Sequence, residues 1–393
     1  MARAHWRERV QAARVQREAD NRVRVRRSVE HRDGARCTVD GRVLLNFCGN
    51  DYLGLSSHPV LVAAAKEALD RYGVGSGASR LMSGDLAIHH ELEESVAVFK
   101  GSEAALVFNS GYQANTGIVP ALFGRRDAVF ADQLCHASQL DGALLSRAKL
   151  LRFRHNDPEH LERMLAKHRG AFERALVMTE SVFSMDGDLA PLSALLAVCR
   201  RRRCLLMVDE AHATGVFGPQ GRGCVEEEGL AGQVDLVMGT FSKALGGFGA
   251  YLAASRTVID YLVNTARSFI YSTALPPPVI AADLAALRLC LSGETRGDDL
   301  LRRADAFRGA LRGNGWTVGG ESQIVPVVVE ESALAVSLSE SLASRGFLAL
   351  PVRPPTVPEG SARLRFSLTA AHTDRQVAAV VEALGGRSVL RQL

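Results

Sequence analysis

The stretch GTFSKALGGFG, residues 239–249, decides the organisation of this chain. It follows the apolar run DLVM at 235–238, a pattern typical of a buried strand. Lys243 lies there between hydroxyl side chains and small residues, which allow the backbone to approach a bulky group closely. A lysine desolvated at a strand end loses part of its proton affinity and can form a Schiff base with an aldehyde, such as that of pyridoxal phosphate. The alternative is a surface lysine in a glycine-rich turn.

Lysine is rare in this chain, which favours the first interpretation. The other four lysines are Lys66, Lys100, Lys149 and Lys167, and they lie in charged, helix-like or loop-edge contexts. Only Lys243 joins a strand to a run of glycines. We therefore predict that Lys243 carries a pyridoxal phosphate cofactor.

Length, composition and cysteine content bound the class of protein. With 393 residues and 47% hydrophobic residues, the chain is long enough for two globular domains with ample core. Its seven cysteines are odd in number and contain no Cys-x-x-Cys pair, which predicts reduced thiols in a cytoplasm and argues against a disulfide framework or a zinc site. No apolar run approaches the roughly 20 residues of a membrane span, and the N-terminus lacks the apolar segment of a secretory signal. We expect a cytoplasmic protein with no membrane partner and no metal.

Positive charge is concentrated at the N-terminus. Eleven arginines against five acidic residues give residues 1–36 a balance of +6, although the whole chain carries only +4. Such an arm could attract a polyanion, either a nucleic acid or a nucleotide-tailed substrate. Acidic residues interrupt the arginines and aromatic residues are nearly absent, which favours a solvated helix from Trp6 to about Arg27. We therefore expect no nucleic-acid partner.

Beyond the arm, an extended segment at 43–47 leads into a region where apolar strands alternate with helical patterns. The pattern predicts strands at 105–108, 128–131, 150–153, 175–179, 205–209, 236–240 and 251–254. It predicts helices near 90–100, 113–122, 158–168 and 191–203. Continuous apolar strands that alternate with helices imply an α/β fold, in which helices cover both faces of a mostly parallel sheet.

Polar side chains follow four of the predicted strands. His136 comes shortly after one strand, residues 180–184 follow another, Asp209 and His212 follow a third, and residues 240–243 follow a fourth. In open α/β sheets, ligands bind at the carboxyl ends of the strands. The four strand ends therefore predict one site at one edge of the sheet.

The strand-to-helix junction NSGYQAN, residues 109–115, suits a phosphate group. Free backbone N–H groups at the start of a helix bind anions. Tyr112 could lie flat against an aromatic ring. A capped helix without a ligand is the alternative.

The segment LLMVDEAH, residues 205–212, is the second anchor of the predicted site. Asp209, at the end of a buried strand, can pair with a protonated pyridine nitrogen and make pyridoxal phosphate an effective electron sink. His212 could then hydrogen-bond the ring oxygen. The letters DEAH also form the magnesium-binding box of helicases, but that function requires a G-x-x-x-x-G-K-[ST] loop, and the chain has no Gly-Lys pair.

Three prolines at 276–278 mark a predicted domain boundary, because they cannot continue a helix or a central strand. After them the pattern changes to helices at about 279–292 and 299–313 and strands at 324–329, 348–351 and 363–368. We predict an N-terminal helix and arm at 1–46, a large domain at 47–275 and a smaller α+β domain at 276–393.

The order of these motifs resembles the α-oxoamine synthases, which are fold-type I pyridoxal-phosphate enzymes, over essentially the whole chain. The shared segments are NDYLG (50–54), SGY (110–112), HAS (136–138), ESVFSMDG (180–187), DEAH (209–212) and TFSK (240–243). The resemblance implies an aminotransferase-like fold with a large domain and a smaller one, assembled as a homodimer. It also implies condensation of an amino acid with an acyl thioester, with loss of CO2.

The resemblance further implies roles for individual residues. The implied catalytic residues are Lys243, His136, Asp209 and His212. The implied cofactor-binding residues are Ser110, Gly111, Tyr112, Ser184, Asp209, His212, Thr240, Lys243 and Thr273, the last reaching the phosphate of a partner subunit. The implied substrate-binding residues are Arg24, Asn50, His136, Arg353, Thr356 and Arg365, with Arg365 on the amino-acid carboxylate.

Three further segments point to one member of this family. They are FRHND (153–157), RPPTVP (353–358) and ARLR (362–365). They resemble an acyltransferase of biotin biosynthesis, whose substrates would be L-alanine and pimeloyl-CoA or pimeloyl-acyl-carrier protein. The alternatives are a sister synthase that uses glycine or serine, such as 2-amino-3-ketobutyrate CoA ligase, and a pyridoxal-phosphate-binding module without turnover.

Overall fold

The computed structural model describes residues 2–20, 22–24 and 26–387, and these residues form two compact units. The large unit comprises Asn50–Ser184 and Asp188–Arg302. The small unit comprises the residues up to Gly49, Met185–Gly187 and the residues from Arg303 onward. In the described ranges, no helix combines the length and the apolarity that crossing a lipid bilayer requires.

The helices and strands are numbered in chain order. The helices are α1 (Ala2–Ala19), α2 (Pro59–Tyr72), α3 (Ala87–Lys100), α4 (Gly111–Leu122), α5 (Ala137–Ser146), α6 (Pro158–His168), α7 (Leu192–Arg202), α8 (Cys224–Glu227), α9 (Arg256–Thr265), α10 (Arg267–Ile270), α11 (Pro277–Leu291), α12 (Gly297–Gly313), α13 (Ser332–Ser344) and α14 (Asp374–Leu384). The strands are β1 (Val29–Asp33), β2 (Arg36–Val39), β3 (Arg42–Asn46), β4 (Ala104–Phe108), β5 (Ala128–Asp132), β6 (Lys149–Phe153), β7 (Ala175–Glu180), β8 (Leu205–Asp209), β9 (Leu236–Thr240), β10 (Ala250–Ala254), β11 (Thr317–Val318), β12 (Ile324–Glu330), β13 (Phe347–Leu348), β14 (Leu350–Val352) and β15 (Ala362–Ser367).

The large unit is built on a seven-stranded sheet with the order β4-β10-β9-β8-β7-β5-β6. The neighbouring strands β9, β8, β7, β5 and β6 run parallel to one another. Strand β10 runs antiparallel to both of its neighbours, β4 and β9. Every residue of β4, β5, β7, β9 and β10 is buried, as expected for strands with helices on both faces. The prediction of an α/β fold with a mostly parallel sheet is confirmed.

Four neighbouring strands, β9, β8, β7 and β5, end at the same edge of this sheet. They end at Thr240, Asp209, Glu180 and Asp132, respectively. Parallel pairing places these carboxyl ends side by side, and Glu180 is the register partner of Asp209. The predicted convergence of polar strand ends is therefore confirmed.

The small unit contains two four-stranded sheets with the orders β1-β2-β3-β13 and β11-β12-β15-β14. Aromatic side chains fill its core around Phe47, which is fully buried. The Phe47 ring stacks on His372, with ring centroids 4.2 Å apart, and also contacts Phe307 and Phe366. Burial is the main reason that the pKa of His372 falls to about 4, so its ring is packed as an apolar group.

Two predictions for this unit need correction. The N-terminal helix ends at Ala19 and does not continue to Arg27, because the Val23 carbonyl and the Arg24 side chain make contacts elsewhere in the small unit; residues 21 and 25 of that prediction lie outside the described residues. The single strand predicted at 348–351 is two short strands, β13 and β14, which belong to different sheets.

The three prolines at 276–278 lie at the start of α11, which belongs to the large unit. Proline suits the first turn of a helix, where its missing N–H costs no hydrogen bond. The bounds 1–46, 47–275 and 276–393 stay a prediction, and residues 388–393 of the last one lie outside the described residues.

Candidate active site

Lys243 lies in a tight loop that follows β9. The Thr240 hydroxyl donates to the Gly249 carbonyl at 2.6 Å and lies 2.7 Å from the Ser242 hydroxyl. The loop passes so close to α11 that a Cβ at Gly247 would lie 1.8 Å from Oδ1 of Asp283. Gly247 therefore allows the close approach of the two backbones, and the hydrogen bond from Thr240 to Gly249 closes the loop.

A chain of hydrogen bonds leads from the large unit's first residues to Lys243. The hydroxyl of Tyr52 donates to Oδ1 of Asn50 at 3.0 Å and lies 2.7 Å from Nδ1 of His212. Nε2 of His212 lies 2.8 Å from Nζ of Lys243. Because the tyrosine hydrogen points to Asn50, Nδ1 of His212 carries its hydrogen toward Tyr52 and Nε2 accepts from the lysine. The arrangement orients the lysine amine and leaves His212 as its acceptor.

A second chain of hydrogen bonds leads from Asp209 to His136. Asn115 donates through Nδ2 to Oδ2 of Asp209 at 3.1 Å and to Oγ of Ser138 at 2.9 Å. Oγ of Ser138 lies 2.7 Å from Nδ1 of His136. The Ser138 hydroxyl donates to that nitrogen, so Nε2 of His136 carries the ring hydrogen. Loss of hydration lowers the pKa of His136 despite the opposing charge of Asp209, and this favours the uncharged ring.

Glu180 adds a second carboxyl group beside Asp209. It is buried, with 3% exposure, and its Oε1 has no hydrogen-bond partner among the described residues. Burial, followed by the charge of Asp209, raises the pKa of Glu180 to about 8. Glu180 belongs to the sequence segments 180–184 and 180–187, but no role is predicted for it from either.

The N-terminus of α4 is an anion-binding candidate. Ser110 caps the helix, since its hydroxyl accepts from the backbone N–H of Gln113 at 3.2 Å. Gly111 and Tyr112 are the first two helical residues, and N–H groups at this position of a twelve-residue helix suit a phosphate. Tyr112 is half exposed and its hydroxyl donates to Asp141.

The remaining predicted residues of the large unit are Ser184 and Thr273. Ser184 is half-buried and follows Phe183, whose backbone N–H donates to the Asp188 carbonyl at 3.1 Å. Thr273 is exposed, and its carbonyl accepts from the Asn109 side chain at 2.8 Å. The predicted contact of Thr273 with a partner subunit stays a prediction.

Four predicted substrate residues belong to the small unit, and three of them lie together. Arg24 donates to Oγ1 of Thr356 at 2.9 Å, and Arg353 donates to the Val23 carbonyl at 3.1 Å. Burial and the nearby charge of Arg24 lower the pKa of Arg353. Arg365, on β15, is buried and donates to Oγ of Ser367 at 2.7 Å.

Arg363 shares the face of β15 with Arg365, as the two-residue period predicted, and both side chains are buried. It is committed to an ion pair with Asp186, at 2.6 Å.

Lys100, at the end of α3, forms a buried ion pair. Its side chain is 3% exposed and donates to the fully buried Glu210 at 2.5 Å and to the Arg222 carbonyl. Glu210 also accepts from the backbone N–H of Val225 at 2.8 Å. The ion pair therefore anchors the segment between Asp209 and His212, and no signal in the sequence distinguishes Lys100 from a surface lysine at a helix end.

Pyridoxal phosphate fits this set of side chains. The Asp209 carboxylate is 5% exposed and accepts from two neutral donors, the Asn115 amide and the backbone N–H of Ala211 at 2.9 Å, a setting that suits a protonated ring nitrogen as a third partner. Lys243 offers an amine for the aldehyde, and the start of α4 offers N–H groups for the phosphate.

Comparisons with known proteins agree with this chemistry. Residues 42–384 match the family model of aminotransferase class I and II. The 8-amino-7-oxononanoate synthase of Geobacter sulfurreducens is 54% identical over 361 residues, which are 91% of this chain and 92% of that protein.

Solved structures extend the likeness to the fold. Serine palmitoyltransferase of S. paucimobilis, solved with a bound pyridoxal phosphate–myriocin adduct, superposes with a TM-score of 0.90 at 33% identity and 95% coverage of each chain. The 8-amino-7-oxononanoate synthase of Francisella tularensis superposes with a TM-score of 0.77 at 29% identity and covers 89% of this chain and 99% of that one. The chain therefore belongs to the aminotransferase class I and II family and, within it, to the 8-amino-7-oxononanoate synthases, which are pyridoxal-phosphate-dependent acyltransferases.

Proposed function

We propose that the protein condenses L-alanine with a pimeloyl thioester to 8-amino-7-oxononanoate in biotin biosynthesis. The new carbon–carbon bond joins the alanine Cα to the thioester carbonyl, the thiol leaves as coenzyme A or acyl-carrier protein, and the alanine carboxylate leaves as CO2. The protein acts in the cytoplasm, which its odd number of free cysteines supports.

The observation that carries the proposal is the hydrogen-bonded chain that ends on Lys243. The amine has an acceptor, His212, whose tautomer is set by Tyr52 and Asn50. A lysine held in this way is oriented to accept the Cα proton of the amino acid and to return it after CO2 has left. An exposed lysine in a glycine-rich turn would have no such buried partner.

The other residues of the large unit have separate tasks. When bound, pyridoxal phosphate supplies the electron sink that stabilises negative charge at the amino-acid Cα. Asp209 keeps the ring nitrogen protonated, since Asn115 and the backbone hold its carboxylate in place. His136 packs on the ring and meets the substrate, His212 and Ser184 contact the ring hydroxyl, and Asn50 faces the reacting carbonyl.

Further residues complete the proposed binding of cofactor and substrate. Ser110, Gly111, Tyr112 and Thr240 hold the cofactor in the large unit. Thr273 contributes to the phosphate site of a second subunit, which makes the enzyme a homodimer. The small unit supplies Arg24, Arg353, Thr356 and Arg365, with the guanidinium of Arg365 binding the amino-acid carboxylate through two parallel hydrogen bonds.

Release of free thiol tests this function. The purified holoenzyme is supplied with pimeloyl-CoA or pimeloyl-acyl-carrier protein, together with L-alanine, glycine or L-serine in separate reactions. We expect thiol release with L-alanine and a pimeloyl thioester, accompanied by CO2. Release with glycine and a short acyl thioester only would support the sister synthase, and cofactor binding without any release would support a binding module.

A further inference from the structure

His155 is a histidine outside the described cofactor contacts whose ring lies between two carboxylates. It follows β6, and its Nδ1 lies 3.0 Å from Oδ1 of Asp132 while its Nε2 lies 2.7 Å from Oδ2 of Asp188. Carboxylate oxygens only accept hydrogen bonds, so both ring nitrogens carry hydrogen and the ring is an imidazolium. The neighbouring charged side chains, Arg154 and Asp157, pair with each other at 2.6 Å.

The first carboxylate, Asp132, organises the turn that carries His136. Asp132 ends β5 and is fully buried. Its carboxylate accepts from the backbone N–H groups of Leu134 and Asn156, both at 2.8 Å. His136 follows four residues later as the N-cap of α5, so its position depends on the turn that Asp132 holds.

The second carboxylate, Asp188, belongs to the segment that carries Ser184. The Asp188 carbonyl accepts from the N–H of Phe183 at 3.1 Å, and Val182 and Leu189 form a bridge across the same segment. The Phe183 ring packs edge-on against His155, with centroids 4.4 Å apart and planes at 89°. Ser184 is the next residue after Phe183, so His155 directly contacts the residue that precedes Ser184.

We propose that His155 is a positioning residue whose imidazolium ties the turn of His136 to the segment of Ser184. It sets the distance between the group that packs on the cofactor ring and the group that contacts the ring hydroxyl. This role rests on the proposed function, which assigns those two contacts. A misplacement of about 1 Å in such a site costs on the order of 100-fold in rate.

The charge of His155 has a consequence for stability. Burial alone would lower the pKa of His155, but the hydrogen bonds and charges of Asp132 and Asp188 together raise it to about 10. The unfolded chain binds this proton with a pKa of about 6.5. The stabilisation is therefore complete below about pH 6.5 and is lost as the pH rises toward 10.

Two isosteric variants separate the two contacts. The amide nitrogen of His155→Asn reaches the place of Nδ1 and keeps the bond to Asp132, whereas that of His155→Gln reaches the place of Nε2 and keeps the bond to Asp188. We expect His155→Gln to raise the KM for L-alanine by about 10- to 100-fold with little change in cofactor absorbance. We expect His155→Asn to shift the absorbance of the bound cofactor and to speed its loss on dialysis.

The matched control is His90→Gln, because His90 is 58% exposed and pairs with a single carboxylate, Asp85, at 2.9 Å. It should match the wild type in KM and absorbance. The free energy of unfolding of the wild type should fall from about pH 6.5 to 10, and less steeply in both His155 variants. If a His155 variant does not fold, Asp188→Asn replaces it, since its amide oxygen accepts from His155 without the charge assistance of a carboxylate, and it should shift the absorbance in the same direction by a smaller amount.

Lower thermal stability with unchanged KM and absorbance in the folded variants would overturn the proposal, because a merely structural histidine behaves in that way. An unchanged absorbance in Asp188→Asn would do the same. Failure of the proposed function is recognised separately, since the wild type itself would then bind no cofactor or release no thiol, and the role of His155 would fall with it.

Discussion

The buried ion pair of Lys100 and Glu210 leads to a prediction about stability. Their side chains are 3% and 0% exposed, and the pair spans α3 and the segment after β8. A Cβ at Gly223 would lie 2.4 Å from Oε2 of Glu210, so the backbone at Gly223 packs directly on the carboxylate. Lys100→Met removes the ammonium group and keeps most of the side-chain volume.

The expected loss is about 3–5 kcal/mol in the free energy of unfolding, because the carboxylate stays buried without its cation. The volume-conserving change to methionine keeps the packing contribution to this loss small. At roughly 2–4 °C per kcal/mol for a folding unit of this size, Tm should fall by roughly 6–20 °C. In the double variant Lys100→Met/Glu210→Gln, the glutamine oxygen can still accept from Val225, so the loss should be smaller than the sum of the single losses by about 1–3 kcal/mol.

Thermal and urea-induced unfolding of the four proteins in the cycle measure these values. Lys66→Met is the matched control, since Lys66 is exposed on α2 and its replacement should change stability by no more than about 0.5 kcal/mol. A loss below about 1 kcal/mol for Lys100→Met would refute the reasoning, because a buried carboxylate without its cation should destabilise the fold by more than that. Strict additivity of the two single variants would refute it as well.

Four further predictions concern the site. Borohydride treatment of the holoenzyme should fix pyridoxal phosphate on the peptide that contains Lys243, and label on any other lysine would contradict the assignment. Asp209→Asn should retain the cofactor but slow exchange of the alanine Cα hydrogen in D2O by on the order of 100-fold, since an amide holds the ring proton poorly; exchange at the wild-type rate would exclude the role. Arg353→Ala should raise KM by about tenfold or more, the worth of a charge-assisted hydrogen bond, with Tm nearly unchanged; a lower Tm with normal kinetics would indicate a purely structural arginine. In the cofactor-free protein, Glu180 holds its proton up to about pH 8, whereas a glutamate in the unfolded chain ionises near pH 4.3, so its contribution to stability should fall as the pH rises through this window, and Glu180→Gln should remove that contribution; an identical pH profile for the two proteins would disprove the buried acid.

The sequence by itself was sufficient for the architecture of the large unit and for one edge of its sheet. Apart from β6, which carries Lys149 and Arg152, the strands β4 to β10 are largely apolar runs, and such runs form strands wherever both faces are covered. Asp209 ends one of these runs and Lys243 follows another closely, and the carboxyl ends of parallel strands lie at one edge of the sheet. The proximity of their segments could therefore be predicted before any single contact was known. The family resemblance was equally visible, because its motifs are short contiguous segments.

Only the tertiary structure decided which polar groups pair with one another. Tyr52 and His212 are 160 residues apart and Asn115 and Asp209 are 94 apart, and neither partnership leaves a local pattern. The burial of Lys100 could not be predicted from the sequence either, because a lysine at the end of a helix is usually exposed. Its pairing with Glu210 depends on the element that packs against the helix.

The reason is that hydrophobic periodicity reports the local environment of a segment, whereas hydrogen bonds and ion pairs are chosen by the packing of distant segments. The end of α1 at Ala19 illustrates the difference, because Val23 and Arg24 leave the helical pattern to contact Arg353 and Thr356, more than 300 residues away. Buried polar groups must find partners in the folded chain, and the identity of those partners exists only once the fold has formed.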